Sequence, residues 1–596
     1  MDNSELILTS LTGILALGIG SQWIAGRLKV PSILILLLAG ILSGPVAGFI
    51  NPDQLLGDLV LPIVSLSVAV ILFEGAMTLR VSELKTIGRP LFMLLTLGVA
   101  ITGVICAAGA YFILKFDLTN SILLGSILTV TGPTVVGPLL QHIRPIGKVG
   151  PLARWEGIVV DPIGAILAVL AFAGAQAMRV SDLNDAVRNG AFNFFETLIV
   201  GSILGGLAAL LLCIMLRRHW ISDHLQSPFV LMLVLLTFTA SNLLHHESGL
   251  VAVTVMGLVL ANQHKVSVRH ILHFKENLSV LLISSLFIVL TARLDLNQFA
   301  NFGWRGPAFL AVVILVARPV SVMVSTIGCG LPMNERLFLS WLAPRGIVAA
   351  AVASVFALEL GDADEFVAAA FLVIVGTVVV YGLTAGWLAR KLGLSVANPQ
   401  GLLIASAHPG ARAIAAALMK RDVPVQLVDT NSSNIQAARM EGLPTLFANI
   451  LSEDLQDVNL GGLGRFLALT RNNEVNVLAV KRGAELFGKK ESYRLSINST
   501  GKSRRDPSAE LLDGRVLFAE NATYDELDRR FASGEVLKAT TMSKEFSYEH
   551  FQLKYPSAML MFVVDANGTL NVVTVDNPIV PVAGQTAIAL VHESPQ

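Results

Sequence analysis

The chain has 596 residues, of which 54% are hydrophobic and 14% are charged, and its formal net charge is zero. An ordinary soluble protein is about one-quarter charged, so this composition excludes that class for the chain as a whole. The zero net charge gives no indication of a nucleic-acid partner. Long apolar runs end near residue 393, and charged residues become frequent after about residue 398. The sequence therefore predicts a membrane part followed by a soluble part.

Thirteen apolar segments are candidates for membrane-spanning helices, each of which needs about 20 residues. Their centres lie near residues 15, 40, 69, 101, 131, 163, 205, 236, 256, 282, 316, 346 and 377. Basic residues follow the odd-numbered segments, as Arg27, Arg80 and Arg217 show. The positive-inside rule then places the N-terminus outside and the C-terminal part in the cytoplasm. We predict an all-α polytopic membrane domain over residues 1–393.

The fifth segment contains TVTGPTVVGPLL, residues 129–140, with two Gly-Pro pairs. These pairs predict a helix that breaks inside the membrane. Non-helical backbone at that depth is tolerated where protein or a water-filled cavity satisfies it, and secondary transporters place ion sites there. The sixth segment follows and carries EGIVVDP, with Glu156, Asp161 and Pro162. We predict an ion site between these two segments.

Glu156 and Asp161 predict two different roles. A charge within a span costs roughly 2.5–3.5 kcal/mol, so each carboxylate needs a partner or a function. The two side chains lie about 140° apart around a helix and so do not face one small site equally. The candidate partners of Glu156 are Arg318, Arg345 and Glu74, and a buried ion pair is predicted there. Asp161 has no such partner, which favours alternate binding of a proton and a small monovalent cation.

The first 393 residues resemble sodium/proton antiporters of the NhaP/NHE kind. The motifs that carry the resemblance are LFEGAMTL, TGP, EGIVVDP, ARPVSV and PRGIVAAAV. The resemblance implies inverted repeats with broken helices, and an electroneutral exchange of Na⁺ or K⁺ for H⁺ by a homodimer in the cell inner membrane. It assigns the transported ion to Asp161 and a structural ion pair to Glu156. Arg318 is favoured over Arg345 for that pair, and Glu74 matches an acidic position that often joins it.

Three positions depart from the family pattern. Val160 stands where the family has asparagine, Gly132 stands where it has aspartate, and Gly157 replaces a small polar residue. The site near Gly132 and Gly157 has therefore lost oxygen ligands. It is expected to depend on Asp161, Thr131 and backbone carbonyls.

The soluble part alternates strands with helices. LLIAS, a helix from about Gly410 and then VQLVD make a βαβ rhythm, and Asp429 ends the second strand, where a dinucleotide fold contacts a ribose. Together with LTRNNEVN, this region resembles the RCK (TrkA-N-like) regulatory domain of potassium channels and Kef-type antiporters. We predict an α/β Rossmann-like domain over residues 398–490 and a small β-rich module over residues 505–596.

The glycine fingerprint of a dinucleotide site is altered. Ser406, His408 and a displaced Gly410 stand in its place, and Asn449 stands where aspartate is usual. Arg412 at the helix start offers a phosphate contact. Three alternatives stay open: an adenine mononucleotide such as AMP, a full dinucleotide, or a structural domain without a ligand.

Two other function classes compete with the antiporter. One is an RCK-gated cation channel, and the other is a membrane-anchored nucleotide sensor that transports nothing. The chain is not expected to be an enzyme and needs no cofactor for transport, because no Ser-His-Asp set or Cys-His pair occurs among the predicted spans.

Overall fold

The protein forms two compact units, Met1–Ser395 and Val396–Gln596. The computed structural model describes residues 3–28, 30–143, 145–177, 183–263, 269–294, 296–360, 363–395, 400–451, 462–497 and 514–592. The first unit is helical where it is described, and the second combines helices with strands.

The helices of the first unit follow the predicted apolar segments. In chain order they are α1 (Asn3–Leu28), α2 (Ser32–Ile41), α3 (Pro52–Leu56), α4 (Val60–Ala76), α5 (Leu84–Met93), α6 (Val99–Gly109), α7 (Leu118–Ile127), α8 (Pro133–Ile143), α9 (Val149–Ala177), α10 (Leu183–Arg217), α11 (Asp223–Leu244), α12 (Ser248–Asn262), α13 (Arg269–Ala292), α14 (Leu296–Asn301), α15 (Arg305–Val312), α16 (Arg318–Ser325), α17 (Met333–Ser340), α18 (Ile347–Leu360) and α19 (Ala363–Lys391). Short π-helical turns follow α2, α5, α6 and α15, and Val81–Glu83 is a 3₁₀ turn between α4 and α5.

Eight helices of the described chain are long and apolar enough to cross a membrane. They are Ile7–Leu28, Pro52–Ala76, Val81–Leu114, Val149–Phe172, Phe192–Arg217, Asp223–Leu244, Arg305–Ser325 and Glu365–Lys391. Four shorter apolar helices are Ser32–Val46, Leu118–Ile127, Ser248–Asn262 and Asn277–Ala292. The polytopic helical fold is thereby confirmed, while the number of thirteen spans stays a prediction. The predicted centres near residues 131 and 346 fall on non-helical segments.

The chain unwinds at two places within apolar sequence. The first unwound segment, residues 128–132, separates α7 from α8, and the second, residues 341–346, separates α17 from α18. The prediction that both Gly-Pro pairs break the fifth helix is wrong, because α8 continues through Pro138. Helix α9 likewise continues through Pro162. A proline inside a helix removes one hydrogen bond, and membrane helices tolerate that loss by local adjustment.

The helices of the first unit pack in two groups. Helices α1, α2, α4 and α10–α13 contact mainly one another and are called here the first bundle. Helices α5–α9 and α15–α19 form the second bundle, which contains both unwound segments. Helix α4 also contacts α8, α9 and α18, so it lies at the boundary between the bundles.

The second unit contains two sheets. Its strands are β1 (Gly401–Ala405), β2 (Val425–Asp429), β3 (Thr445–Phe447), β4 (Leu463–Ala468), β5 (Ser492–Arg494), β6 (Arg515–Val516), β7 (Val536–Thr541), β8 (Met559–Val564), β9 (Leu570–Val572) and β10 (Thr586–Val591). Its helices are α20 (Pro409–Met419), α21 (Ser432–Met440), α22 (Asn473–Phe487), α23 (Tyr524–Ala532) and α24 (Tyr548–Lys554).

The first sheet is parallel with the strand order β3-β2-β1-β4-β5-β6, and the second is antiparallel with the order β7-β10-β8-β9. All five residues of β1 are buried, as a central parallel strand requires. The prediction of an α/β region with a parallel sheet is confirmed. Strand β6 comes from the segment predicted as the separate β-rich module, yet it pairs with β5 of the first sheet.

Candidate ion-binding site

The two unwound segments cross at a pair of glycines. A methyl group placed on Gly132 would lie 2.3 Å from Cα of Gly346, so only glycines permit this approach. The amide N–H of Gly132 donates to the carbonyl of Pro344 at 3.3 Å. Sequence analysis placed Gly132 near the site but missed the second unwound segment. Pro344 and Gly346 in that segment give the same proline and glycine signal as Gly132 and Pro133 in the first.

Asp161 faces the first unwound segment. A side-chain carbon on Gly157 would lie 3.5 Å from the carbonyl oxygen of Thr131, and one on Gly164 would lie 2.3 Å from Val130. Positions 157, 161 and 164 share one face of a helix, so the face that carries Asp161 is the face pressed against the break. The crowding at position 164 explains why the chain has glycine there, whereas a side-chain carbon at position 157 would make an ordinary contact.

The buried oxygens at this place have no hydrogen-bond partner. Asp161 is 0% exposed, and neither of its carboxylate oxygens makes a hydrogen bond within the described chain. The hydroxyls of Thr131 and Thr134 are also buried, and they too make no hydrogen bond within the described chain. Thr134 is the second residue of α8, lies beside the glycine crossing and was not predicted. Because buried polar groups are nearly always satisfied, this set points to an occupant that the protein itself does not supply.

Glu156 pairs with Arg318. The guanidinium donates Nη1 to Oε1 at 2.5 Å and Nη2 to Oε2 at 2.8 Å, and both side chains are buried. Arg318 also donates to the carbonyls of Leu339 and Leu342 at 3.0 and 3.2 Å. This bidentate pair therefore fastens α9 to α16 and to the start of the second unwound segment.

Arg345 serves the first unwound segment rather than Glu156. Its Nη1 donates to the carbonyls of Thr129 and Val130 at 3.2 and 3.1 Å, and its side chain is 1% exposed. Breaking a helix leaves carbonyls unsatisfied, and a guanidinium from the opposite segment satisfies two of them. Glu74 lies half-buried on α4 beside Gly75, which faces Ile158 of α9.

The residues predicted to bind a nucleotide are engaged with their own chain. Asp429 accepts the N–H of Ala407 at 2.7 Å and the amide of Asn434 at 3.0 Å through Oδ2, and the N–H of Asn431 at 2.9 Å through Oδ1. Arg412 donates to Glu441 at 2.8 Å. Asp429 and Arg412 therefore both make hydrogen bonds within their own chain.

The phosphate cradle, meaning the turn of Ser406, His408 and Gly410 at the start of α20, is filled by side chains. A methyl group on Gly410 would lie 2.9 Å from the ring of Phe531, and the ring of His408 packs 5.0 Å from that of Tyr524. His408 also hydrogen-bonds Ser406 at 2.9 Å. Asn449, which was also predicted to bind the nucleotide, accepts the N–H of Leu451 at 2.9 Å. The residues present do not fit an adenine nucleotide in this arrangement, because side chains of α23 occupy the helix start where a pyrophosphate binds.

The buried His408 predicts that the second unit is sensitive to acid. Burial lowers the pKa of His408 from 6.5 to about 4. As the pH falls, the unfolded state binds the proton before the folded state does. The free energy of unfolding therefore decreases below pH 6.5, and the contribution of the neutral His408 is lost completely below pH 4. We expect the opening free energy of the β1–α20 region to fall by about 2 kcal/mol between pH 7 and pH 5. Hydrogen exchange on the full chain, corrected for intrinsic rates, measures this, and His408→Gln should remove the pH dependence. An equal pH dependence in that variant would contradict the assignment.

The chain matches a known transporter family. Residues 12–391 match the transmembrane region of the sodium/hydrogen exchanger family. The K(+)/H(+) antiporter NhaP of Alkalimonas amylolytica is 26% identical over 411 residues, which are 67% of this chain and 69% of that protein. The Na(+)/H(+) antiporter 1 of Methanocaldococcus jannaschii is 29% identical over 377 residues, covering 59% of this chain and 84% of that protein. The structure of the sodium proton antiporter MjNhaP1 from the same organism aligns with a TM-score of 0.57 and 25% identity, over 65% of this chain and 99% of that chain.

Proposed function

Because the chain belongs to the sodium/hydrogen exchanger family, we propose that it exchanges a monovalent cation for H⁺ at Asp161. The observation that carries this proposal is the fully buried carboxylate, whose two oxygens have no hydrogen-bond partner in the described chain. A buried charge without a partner is costly, and either a proton or a cation removes that cost. Both occupants compete for the same oxygens, which is the basis of obligatory exchange.

Thr131 and the first unwound segment supply the remaining ligands of the cation. Carbonyls of unwound membrane helices coordinate Na⁺ in secondary transporters. The carbonyl of Thr131 lies against Gly157, and its hydroxyl has no partner in the described chain. Gly132 and Gly157 contribute no side-chain oxygen; Gly132 permits the close crossing with Gly346, and Gly157 lies in contact with the carbonyl of Thr131. Arg345 occupies the carbonyls of Thr129 and Val130, which leaves the carbonyl of Thr131 for the ion.

The function is tested by reconstitution into proteoliposomes with an acidic interior. Dequenching of a pH-sensitive dye on addition of Na⁺, K⁺ or Li⁺ reports exchange and its selectivity. A cation flux that runs only down the cation gradient and never drives protons against the proton gradient would favour the channel alternative. Complete absence of flux would favour the non-transporting sensor.

We expect one cation to be exchanged for one proton. Asp161 is the exchangeable carboxylate of the site, and the charge of Glu156 is neutralised by Arg318. Replacing one proton by one monovalent cation moves no net charge. The exchange rate should therefore be the same with and without an imposed membrane potential, and no transport current should appear on a solid-supported membrane. A steady current would show that a second group titrates in each cycle.

We also propose that residues 396–596 are an RCK-type regulatory module in the cytoplasm and that the protein is an inner-membrane homodimer. The strand order β3-β2-β1-β4-β5-β6 supports this module, since it is the order of dinucleotide-binding folds. The basic loops after odd-numbered segments support the orientation. The filled cradle leads us to propose regulation without a bound adenine nucleotide.

Two experiments test the dimer and the orientation. Mass measurement in native-like discs tests the dimer. A cysteine introduced into residues 396–596 and labelled in intact and in opened cells tests the orientation.

A further inference from the structure

We propose that Thr377 is a positioning residue for cation binding. Its hydroxyl holds the backbone of Arg345, and Arg345 in turn holds the first unwound segment beside Asp161. The inference rests on the proposed exchange function, because it assigns Thr377 a part in binding the exchanged cation.

Thr377 lies on α19 and faces the second unwound segment. Its hydroxyl accepts the N–H of Arg345 at 3.2 Å and donates to the carbonyl of Ile374, one turn earlier in α19, at 3.1 Å. The side chain of Thr377 is fully buried. Because Arg345 stands in unwound backbone, its N–H has no helical acceptor, and in an apolar interior another group must supply one. Thr377 therefore satisfies a backbone donor that the break leaves open.

A polar face of α19, made of Thr377, Tyr381 and Thr384, runs along the second unwound segment. These three positions share one face of a helix. Thr384 accepts the indole N–H of Trp341 at 2.8 Å, and the ring of Tyr381 packs 6.0 Å from that of Trp341. Ala343 lies in the same core cluster as Tyr381. The segment is thus fixed to α19 near both of its ends, and Thr377 holds the end next to the glycine crossing.

Arg345 transmits this hold to the first unwound segment. Its guanidinium donates to the carbonyls of Thr129 and Val130 at 3.2 and 3.1 Å. The next residue, Gly346, packs so closely against Gly132 that a methyl group on either glycine would overlap the other. Arg345 and Gly346 therefore hold the first unwound segment at two points.

The residue between those two points is Thr131, whose carbonyl is the proposed cation ligand. That carbonyl lies against Gly157 of α9, about one turn before Asp161. Groups that bind a ligand must be held to within about 0.5 Å of their productive positions. A looser backbone at Arg345 therefore weakens cation binding while Asp161 itself is unchanged.

Thr377→Val removes the hydroxyl and keeps a side chain of nearly the same shape. We expect the half-saturating concentration of Na⁺ or K⁺ to rise by about 5- to 50-fold, because a buried N–H that loses its acceptor destabilises the arrangement that holds the ligand. The maximal exchange rate should stay within about 2-fold of wild type, since the exchanging carboxylate is intact. Proteoliposomes of the full chain, titrated separately with Na⁺ and K⁺, give both quantities. A smaller folded fraction lowers the maximal rate alone, so the two quantities separate positioning from stability.

Three further variants accompany this one. Thr377→Ala also loses the hydroxyl and should raise the half-saturating concentration in the same way. Thr377→Ser keeps the hydroxyl and should stay near the wild-type value. Thr102→Val is the matched control, because Thr102 is a buried threonine of the second bundle whose hydroxyl donates to the carbonyl of Gly98 in the preceding turn, at 2.8 Å. It should leave the half-saturating concentration unchanged.

An unchanged half-saturating concentration in both Thr377→Val and Thr377→Ala, with exchange intact, would overturn the role of Thr377 and leave the proposed function standing. A loss of maximal rate alone, or an equal rise in Thr377→Ser or Thr102→Val, would overturn it as well, since those results describe a purely structural contribution. Absence of exchange by the unmodified protein would overturn the function, and the role of Thr377 with it.

Discussion

Asp161→Asn abolishes cation/proton exchange in proteoliposomes while the protein remains folded. Asparagine has nearly the shape of aspartate, so it fits the fully buried position beside the first unwound segment. Its amide carries no charge to bind a cation and releases no proton at physiological pH. Both halves of the exchange therefore fail together. The measurement is dye dequenching on addition of Na⁺ or K⁺, with thermal unfolding in detergent to establish the fold.

The matched control for this variant is Asp53→Asn. Asp53 pairs with Arg293 at 2.9 Å, and both side chains are partly open to solvent. A pair of this kind contributes about 0–1 kcal/mol, so Asp53→Asn should exchange at close to the wild-type rate. If Asp161→Asn retained a substantial fraction of that rate, Asp161 would not be the ion carrier.

The sequence is most informative where a local rule decides the structure. Apolar length alone locates the long membrane helices, because backbone groups in lipid must be satisfied within the segment. Gly132 and Pro133 mark the first break, since proline begins α8 where a missing N–H costs nothing. The pairing of Glu156 follows from the cost of a buried charge together with the few arginines within the spans.

The rest of the ion site depends on contacts between distant segments. Gly132 and Gly346 meet across more than two hundred residues, and each reads locally as an ordinary helix breaker. The role of Arg345 becomes visible only when the carbonyls of Thr129 and Val130 are seen within its reach. Pro138 shows the opposite error, because a proline inside a helix looks the same in sequence as one that ends it.

The soluble unit shows the same division between local and distant information. The βαβ rhythm correctly predicts a parallel sheet, because alternation of strand and helix is a local pattern. The occupant of the cradle is not local, since Tyr524 and Phe531 lie more than one hundred residues beyond His408. A motif of Ser406, His408 and Gly410 therefore indicates the place of a ligand site without indicating whether the chain itself fills it.

Glu156→Gln lowers the free energy of unfolding by about 3–5 kcal/mol, the usual cost of removing one partner from a buried ion pair. The glutamine leaves the guanidinium of Arg318 buried without a countercharge, although its bonds to Leu339 and Leu342 persist. We expect a clear loss of thermal stability in detergent, measured by unfolding of the purified protein.

The companion variant replaces both charges. In Glu156→Met with Arg318→Met the uncompensated charge is absent, so most of the stability lost in Glu156→Gln should return. Two results together would establish that Glu156 is a structural strut. The double variant should recover its stability, and its active fraction should still exchange one cation for one proton. A fully stable Glu156→Gln protein with altered stoichiometry would instead make Glu156 a second titrating group. The distinction is decisive because Arg318 neutralises Glu156 only as long as both stay charged throughout the cycle.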